Sequence, residues 1–133
     1  MHLSLISLVV TDYDEAIDHY VGQLGFTLSE DTRLSDDKRW VVVAPSPGAQ
    51  TGLLLAKAVG DRQTAAVGDQ SGGRVFLFLE TDDFAGRFKA MSEAGVNFRE
   101  PPRREAYGKV AVFEDLYGNR WDLIERNGGV SRP

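Results

Sequence analysis

Charged and aromatic residues alternate along two segments that read as β-strands. The residues concerned are Arg74, Phe76, Phe78 and Glu80 in one segment and Arg120 and Asp122 in the other. Because successive side chains of a strand point to opposite faces of its sheet, each set projects to one side. Aromatic rings supply stacking area and charged groups supply orientation, so the combination is typical of a pocket for a planar or charged small molecule. Asp122 is the carboxylate that could do acid–base chemistry there.

The same residues also allow readings without a ligand. An ion pair between Asp122 and Arg120 would only neutralise a half-buried surface. The face that carries them could be solvated, as one face of an antiparallel sheet often is, or covered by a second subunit. Tyr107 and Trp40 could lie at the mouth of a pocket or in the core. The sequence leaves these alternatives open.

Apolar periodicity places these residues on a βαβββ unit that occurs twice. The first copy predicts strands at 3–10, 26–29, 39–44 and 52–56 and a helix at 13–24. The second predicts strands at 74–80, 96–99, 109–114 and 120–126 and a helix at 84–94. Asp12 and Asp83 are placed to cap the two helices, and Gly25 and Gly95 are placed to end them.

The two copies are related by a shift of 71 residues, which brings Asp12 onto Asp83. Five apolar positions of the first copy fall on apolar positions of the second under this shift, which indicates an internal duplication. We therefore predict one domain over residues 1–126, with module 1 at about 3–56, a linker at 57–73 and module 2 at about 74–126. Residues 127–133 are predicted to be a tail.

Strand alternation separates a uniformly apolar face from a mixed one. The apolar set, called here the helix face, must pack on the helices, because the other set carries charges that a dry layer would leave unpaired. The helix face holds Ile6, Leu8, Val10, Leu77, Leu79, Trp121 and Leu123. The mixed face holds Leu5, Ser7 and the alternating residues of the first paragraph. The prediction is an α+β fold of two tandem βαβββ modules, whose curved mixed sheet surrounds a concave pocket.

Length and composition exclude several function classes. The chain has 133 residues and a mass of 14.6 kDa, which suits one globular domain. The absence of cysteine excludes disulfides, thiolate nucleophiles and cysteine-ligated metal sites. A net charge of −5 without a basic run argues against nucleic acid. No apolar stretch is long enough to span a bilayer, so we expect no membrane partner and a cytoplasmic location.

Three groups of segments resemble the vicinal oxygen chelate superfamily, which includes glyoxalase I, extradiol dioxygenases and the fosfomycin and bleomycin resistance proteins. The first group is Leu8-Val-Val-Thr-Asp12, Ala16-Ile-Asp-His-Tyr20 and Leu24-Gly-Phe26. The second group is Leu79-Glu-Thr-Asp82 and Glu93-Ala-Gly-Val96. The third is the segment Val112-Phe-Glu-Asp-Leu-Tyr-Gly-Asn-Arg-Trp-Asp-Leu-Ile-Glu125. The resemblance covers residues 3 to 126 and implies the same duplicated fold.

The resemblance implies a divalent metal held by His and Glu side chains in the enzymes of that superfamily. The corresponding positions here are Leu5, Leu54 or a neighbour, Phe76 and Asp122, and only Asp122 carries a metal donor. His2 and His19 do not replace the missing ligands and are predicted to be surface imidazoles. We therefore expect no divalent-metal cofactor.

The leading hypothesis is metal-independent binding of a small organic molecule, similar to the drug-sequestering resistance proteins of the resembled superfamily. The predicted site residues are Leu5, Leu54, Arg74, Phe76, Phe78, Arg120 and Asp122. One alternative is a lyase, isomerase or dioxygenase that uses Asp122 as its catalytic carboxylate, and another is a partner-binding module. A homodimer is expected, because an isolated concave face would leave apolar surface exposed.

Overall fold

The computed structural model describes residues 1–128, and these fall into two compact units. Unit 1 comprises residues 1–70, and unit 2 comprises the described residues from Ser71 onward. Each unit contains its own mixed β-sheet. Of the predicted tail, residues 129–133 lie outside the described residues. Within the described part of the chain, no helix is long and apolar enough to cross a membrane.

Unit 1 follows the predicted βαβββ order. Its elements are β1 (Leu5–Val10), α1 (Tyr13–Ile17), a π-helix (Asp18–Gln23), β2 (Thr27–Arg33), β3 (Arg39–Ala44), β4 (Gly52–Lys57) and α2 (Gly60–Ala66). The strand order in sheet 1 is β1-β4-β3-β2. β1 runs parallel to β4, and the other two neighbouring pairs are antiparallel.

Unit 2 repeats this arrangement. Its elements are β5 (Val75–Glu80), α3 (Phe84–Glu93), β6 (Asn97–Phe98), β7 (Arg103–Glu105), β8 (Gly108–Glu114) and β9 (Arg120–Arg126). The order in sheet 2 is β5-β9-β8-β6, with β7 also pairing with β8. β5 runs parallel to β9, as β1 does to β4. The α+β fold with two tandem βαβββ modules is therefore confirmed.

The predicted helix caps are also equivalent in the two units. Asp12 Oδ2 accepts a hydrogen bond from the Glu15 amide at 2.9 Å, and Asp83 Oδ1 accepts one from the Gly86 amide at 3.1 Å. Gly25 and Gly95 follow the helices with φ of 80° and 91°, in the left-handed region that glycine adopts without strain.

The first helix departs from the predicted uninterrupted α-helix. After one turn of α1 it continues as a π-helix, in which the Leu24 amide donates to the His19 carbonyl five residues earlier. The wider turn brings His19 to the buried side, where its Nδ1 lies 2.6 Å from Gln23 Oε1. The prediction that His19 is a surface imidazole is therefore wrong, whereas His2 is exposed as predicted.

The interval 57–73, predicted as a linker, contains the helix α2, which no sequence pattern predicted. α2 buries none of its residues, so its sequence has no apolar stripe to reveal it. Beyond α2, the Gln70 side-chain amide donates to the Val9 carbonyl and accepts from the Val9 amide. These bonds attach the end of the interval to β1.

Several strand boundaries also differ from the predicted ones. β1 begins at Leu5 instead of Leu3, and β2 extends to Arg33 past a register shift between Leu28 and Glu30. β7 was not predicted, because its sequence Arg-Arg-Glu has no apolar residue. β3 and β9 occupy the predicted residues.

Burial follows the division into a helix face and a mixed face in β1 and β4, whereas both faces are buried in much of β3 and β9. In β1, Leu8 and Val10 are fully buried whereas Leu5 is exposed. β5 contains one exception, since a register shift between Val75 and Leu77 interrupts its pairing with β9. The ring of Phe76 packs edge-on against the Trp121 ring at a centroid distance of 6.4 Å. The bulge thus directs Phe76 toward a helix-face residue, and its assignment to the mixed face is corrected.

Candidate functional site: a cavity at the strand ends of unit 1

Unit 1 contains a cavity of about 500 Å³ where β4 ends and β3 begins, called here the strand-end cavity. The start of α1, the loop before β3 and the segment that begins α2 complete its wall. The lining residues are Tyr13, Asp37, Lys38, Arg39, Trp40, Leu54, Leu55, Ala56, Lys57, Val59 and Gln63. The volume lies within the range of about 300–1,000 Å³ that is typical of small-molecule sites.

Two aromatic side chains on the cavity wall are held by hydrogen bonds. Trp40 lies on the mixed face of β3, and its indole N–H donates to Glu30 Oε2 on β2 at 3.0 Å. Tyr13 begins α1, and its hydroxyl oxygen accepts from the Arg39 amide at 3.2 Å. Their rings therefore have fixed positions, which favours stacking of a ligand at low entropic cost.

Arg39 lines the cavity but its charge is compensated by two carboxylates. Its guanidinium forms ion pairs with Asp14 at 2.8 Å and Asp31 at 2.7 Å, and it lies over the Tyr13 ring at 5.3 Å. The hydrogen bonds that Arg39 donates to Asp31 and Asp14 raise the pKa of Arg39, and the one to Asp31 lowers the pKa of Asp31. Arg39 thus joins α1, β2 and β3 at one point, and its charge is already paired.

The far wall of the strand-end cavity comes from residues around the start of α2. The Val59 amide donates to Gln63 Oε1 at 2.9 Å, which fixes the orientation of the Gln63 amide group. Val59 itself is largely exposed, so an apolar side chain lies at the rim without protein cover. Lys57 ends β4 beside it, and Lys38 precedes β3.

Asp122 is the buried carboxyl group on the mixed face of sheet 2. Asp122 is 9% exposed, and its Oδ1 atom is buried without a hydrogen-bond partner among residues 1–128. Burial raises the pKa of Asp122, and the nearby Arg103 guanidinium opposes this increase. The predicted alternative of an Arg120–Asp122 ion pair is not formed among the described residues, since Arg120 instead donates to the Gly73 carbonyl at 3.5 Å.

The other predicted site residues lie in different environments. Phe78 is directly opposite Asp122 in the β5–β9 register and is 64% exposed, so the structure brings these two together. Arg74 precedes β5 and is exposed. In unit 1, Leu5 and Leu54 share the mixed face of sheet 1, but only Leu54 lines the strand-end cavity. The binding roles of all these residues remain predictions.

Trp40 and Tyr107, whose roles the sequence left open, lie in different environments. Trp40 lines the strand-end cavity. Tyr107 lies in the turn before β8, where the Arg126 guanidinium lies 5.8 Å from its ring centroid and its carbonyl accepts from the Asn127 amide. Tyr107 therefore supports the end of β9.

A divalent metal does not fit the residues at the positions that the family resemblance indicates. Leu5, Leu54 and Phe76 have no donor atom, and Asp122 offers a single carboxylate. Within residues 1–128, no three His, Asp or Glu side chains are grouped as a metal site would need. We therefore assign no metal chemistry to these positions.

Much of the strand-end cavity was not predicted from the sequence. Tyr13 is the first residue of the predicted helix 13–24 and was given no binding role, and Lys57, Val59 and Gln63 fell in the predicted linker. One signal was available, because Val59 is an apolar residue three residues after the predicted strand 52–56, in an interval with few large apolar residues.

Known proteins share the sequence pattern and the fold of this chain. Residues 2–123 match the sequence profile of the Glyoxalase/Bleomycin resistance protein/Dioxygenase superfamily. The chain belongs to this superfamily. An uncharacterized protein of Shewanella frigidimarina is 55% identical over 123 residues, which cover 92% of this chain and 91% of that protein.

Solved structures of the superfamily fold are similar over almost the whole chain. The crystal structure of UcmS2 has a TM-score of 0.80 at 27% identity and covers 93% of this chain and 97% of that chain. TnmS3, described as an antibiotic binding protein from Streptomyces sp. CB03234, has a TM-score of 0.76 at 30% identity and covers 96% and 97% of the two chains. Both similarities extend over the two βαβββ modules of this chain.

Proposed function

We propose that this protein binds a small organic molecule in the strand-end cavity without a metal ion. The observation that carries the proposal is a cavity of about 500 Å³ that combines the fixed rings of Trp40 and Tyr13 with the apolar side chain of Leu54. An apolar wall with a few placed polar groups is the usual composition of a small-molecule site. The similarity to the antibiotic binding protein TnmS3 supports the same class of function.

The experiment is a screen of small aromatic compounds against ¹⁵N-labelled protein, observed through the two indole N–H resonances. A compound that enters the strand-end cavity should shift the Trp40 resonance and leave that of Trp121 unchanged, because Trp121 is buried in the core of unit 2. The shift should persist in EDTA, and elemental analysis of the protein should give substoichiometric transition metal. Failure of every compound to move the Trp40 resonance would contradict the proposal.

A matched pair of variants tests whether the cavity carries the affinity. Trp40→Ala should weaken binding of a hit about tenfold or more in calorimetry, because it removes a fixed stacking surface. Leu116→Ala also removes an exposed apolar side chain, but outside the cavity, and should leave the affinity unchanged. Equal loss in both variants would indicate non-specific binding.

A catalytic role for Asp122 is the second candidate function. Its carboxyl group is buried and has an unpartnered oxygen, and burial raises its pKa, as suits a proton donor. Recovery of every compound of the screen after prolonged incubation distinguishes the two functions, because a substrate of Asp122 in unit 2 need not shift the Trp40 resonance. An unchanged compound supports binding, whereas conversion that is lost in Asp122→Asn supports a lyase, isomerase or dioxygenase.

A further inference from the structure

We propose that the strand-end cavity selects organic anions, that is, molecules with an aromatic body and an ionised carboxylate or similar oxyanion. The inference rests on the proposed function and names the ligand class of the same site. It follows from the hydrogen-bonding groups that the cavity leaves available to a ligand.

Two neutral polar side chains of the cavity, Tyr13 and Gln63, each accept a hydrogen bond from a backbone amide and donate none to residues 1–128. Gln63 Oε1 accepts from the Val59 amide, so the amide nitrogen of Gln63 keeps its N–H groups. Tyr13 Oη accepts from the Arg39 amide, so the hydroxyl proton of Tyr13 also remains available. Neither of these donors has an acceptor within the described part of the chain. A ligand in the cavity can therefore pair these donors with acceptor atoms of its own.

The indole nitrogen of Trp40, the other polar atom on the aromatic wall, already forms a hydrogen bond within the protein. The Trp40 indole N–H donates to Glu30, which leaves the faces of the indole as its contact with a ligand. Leu54 and Ala56 flank it on the same face of sheet 1. This part of the cavity suits the apolar body of the ligand and not its polar group.

Two lysines at the cavity carry ammonium groups that form no ion pair among the described residues. Arg39 is paired with Asp14 and Asp31, but neither Lys38 nor Lys57 forms an ion pair with any residue from 1 to 128. Asp37 is the carboxylate on the lining, and its Oδ1 accepts from the Ser35 hydroxyl at 3.1 Å. Asp37 keeps its negative charge, so the charged side chains of the lining are three cations and one carboxylate.

Hydrogen bonds and strand pairing fix the main-chain positions of both lysines. The Lys38 carbonyl accepts from the Leu34 and Ser35 amides, which closes the loop before β3. Lys57 is the last residue of β4 and is in register with Val10 of β1. An oxyanion at this end of the cavity would be attracted by both ammonium groups, whereas a ligand cation would be repelled by them.

Calorimetry with three probes of the same shape tests the inference: 2-naphthoate, 2-naphthamide and 2-naphthylmethylammonium. The naphthoate should bind about tenfold more tightly than the amide, because each of the two exposed ammonium groups should strengthen its binding roughly threefold. The ammonium probe should bind most weakly. The double variant Lys38→Gln/Lys57→Gln should remove the preference for the naphthoate and change the amide affinity less than twofold. Added NaCl should weaken binding of the naphthoate alone.

Lys89→Gln provides the matched control, because it removes the same charge from the exposed surface of α3 in unit 2. It should leave the order of the three probes unchanged. If the amide or the ammonium probe binds as tightly as the naphthoate and moves the Trp40 indole resonance, the anion inference is overturned and the proposed function stands. If none of the three moves that resonance at millimolar concentration, the proposed function fails and the inference fails with it.

Discussion

Asp122 has an environment that favours its neutral form. Burial is the main cause of its raised pKa, while Arg103 lowers the pKa and Glu100 raises it further. Between the ordinary pKa of an aspartate and this raised value, the native protein binds more protons at Asp122 than the unfolded chain does. The contribution of Asp122 to the free energy of unfolding therefore falls as pH increases through this window.

Asp122→Asn should remove this pH dependence, because the amide stays neutral at every pH. Its melting temperature should lie within a few degrees of the parent, a change on the order of 1 kcal/mol or less. The variant should gain stability relative to the parent as pH increases through this window, and the difference should be constant above it. Thermal melts from pH 3 to pH 8 measure the difference.

Trp121→Ala is the control on the neighbouring residue of β9. The Trp121 ring is 3% exposed and stacks on Phe113 at a centroid distance of 5.7 Å. Its removal should cost roughly 3–5 kcal/mol through the cavity it leaves. If Asp122→Asn unfolds the protein while Trp121→Ala is silent, the assignment of the two faces of sheet 2 is wrong.

At the level of elements, the two helix caps should make equal contributions. Asp12→Ala and Asp83→Ala each remove a side-chain acceptor from the first turn of a helix and should each cost about 1 kcal/mol in urea unfolding. Asp82→Ala removes the same charge one residue before the second cap and should change stability by less than about 0.5 kcal/mol. An equal cost for Asp82→Ala would show that charge and not capping stabilises the helix.

Elements with an apolar pattern could be predicted from the sequence, and those without one could not. β3 and β9 alternate or are continuously apolar because their side chains are buried, and the prediction found their bounds. α2 and β7 have no buried apolar residue to reveal them. The π-helix was missed because its hydrogen-bond pattern leaves no separate mark in side-chain periodicity.

The candidate site was predictable to the same limited extent. Leu54 was predicted through the family resemblance, and Trp40 was predicted to lie either at the mouth of a pocket or in the core. Gln63 lies on α2, and Lys57 and Val59 belong to the same unpredicted region. The bulge at Phe76 is a local irregularity that strand parity cannot anticipate.

At the level of the whole molecule, a homodimer remains our prediction. Leu5 on sheet 1 and Phe78 on sheet 2 are apolar side chains that their own units leave exposed. Sedimentation equilibrium at micromolar protein should give about twice the chain mass of 14.6 kDa. Phe78→Lys should shift the equilibrium toward the monomer, whereas Leu116→Lys should not. A single species of one chain mass in the parent protein would refute the prediction.

The pair of bonds between Gln70 and Val9 has a consequence for aggregation. β1 is a terminal strand of sheet 1, and a terminal strand with free amides and carbonyls can template the addition of a foreign strand. The Gln70 amide occupies both polar groups of Val9 as another strand would. At the opposite end of sheet 1, β2 carries the charges of Glu30, Asp31 and Arg33. Gln70→Ala should therefore shorten the lag time of thioflavin-positive fibril formation at moderate temperature, while the exposed Gln50→Ala leaves it unchanged.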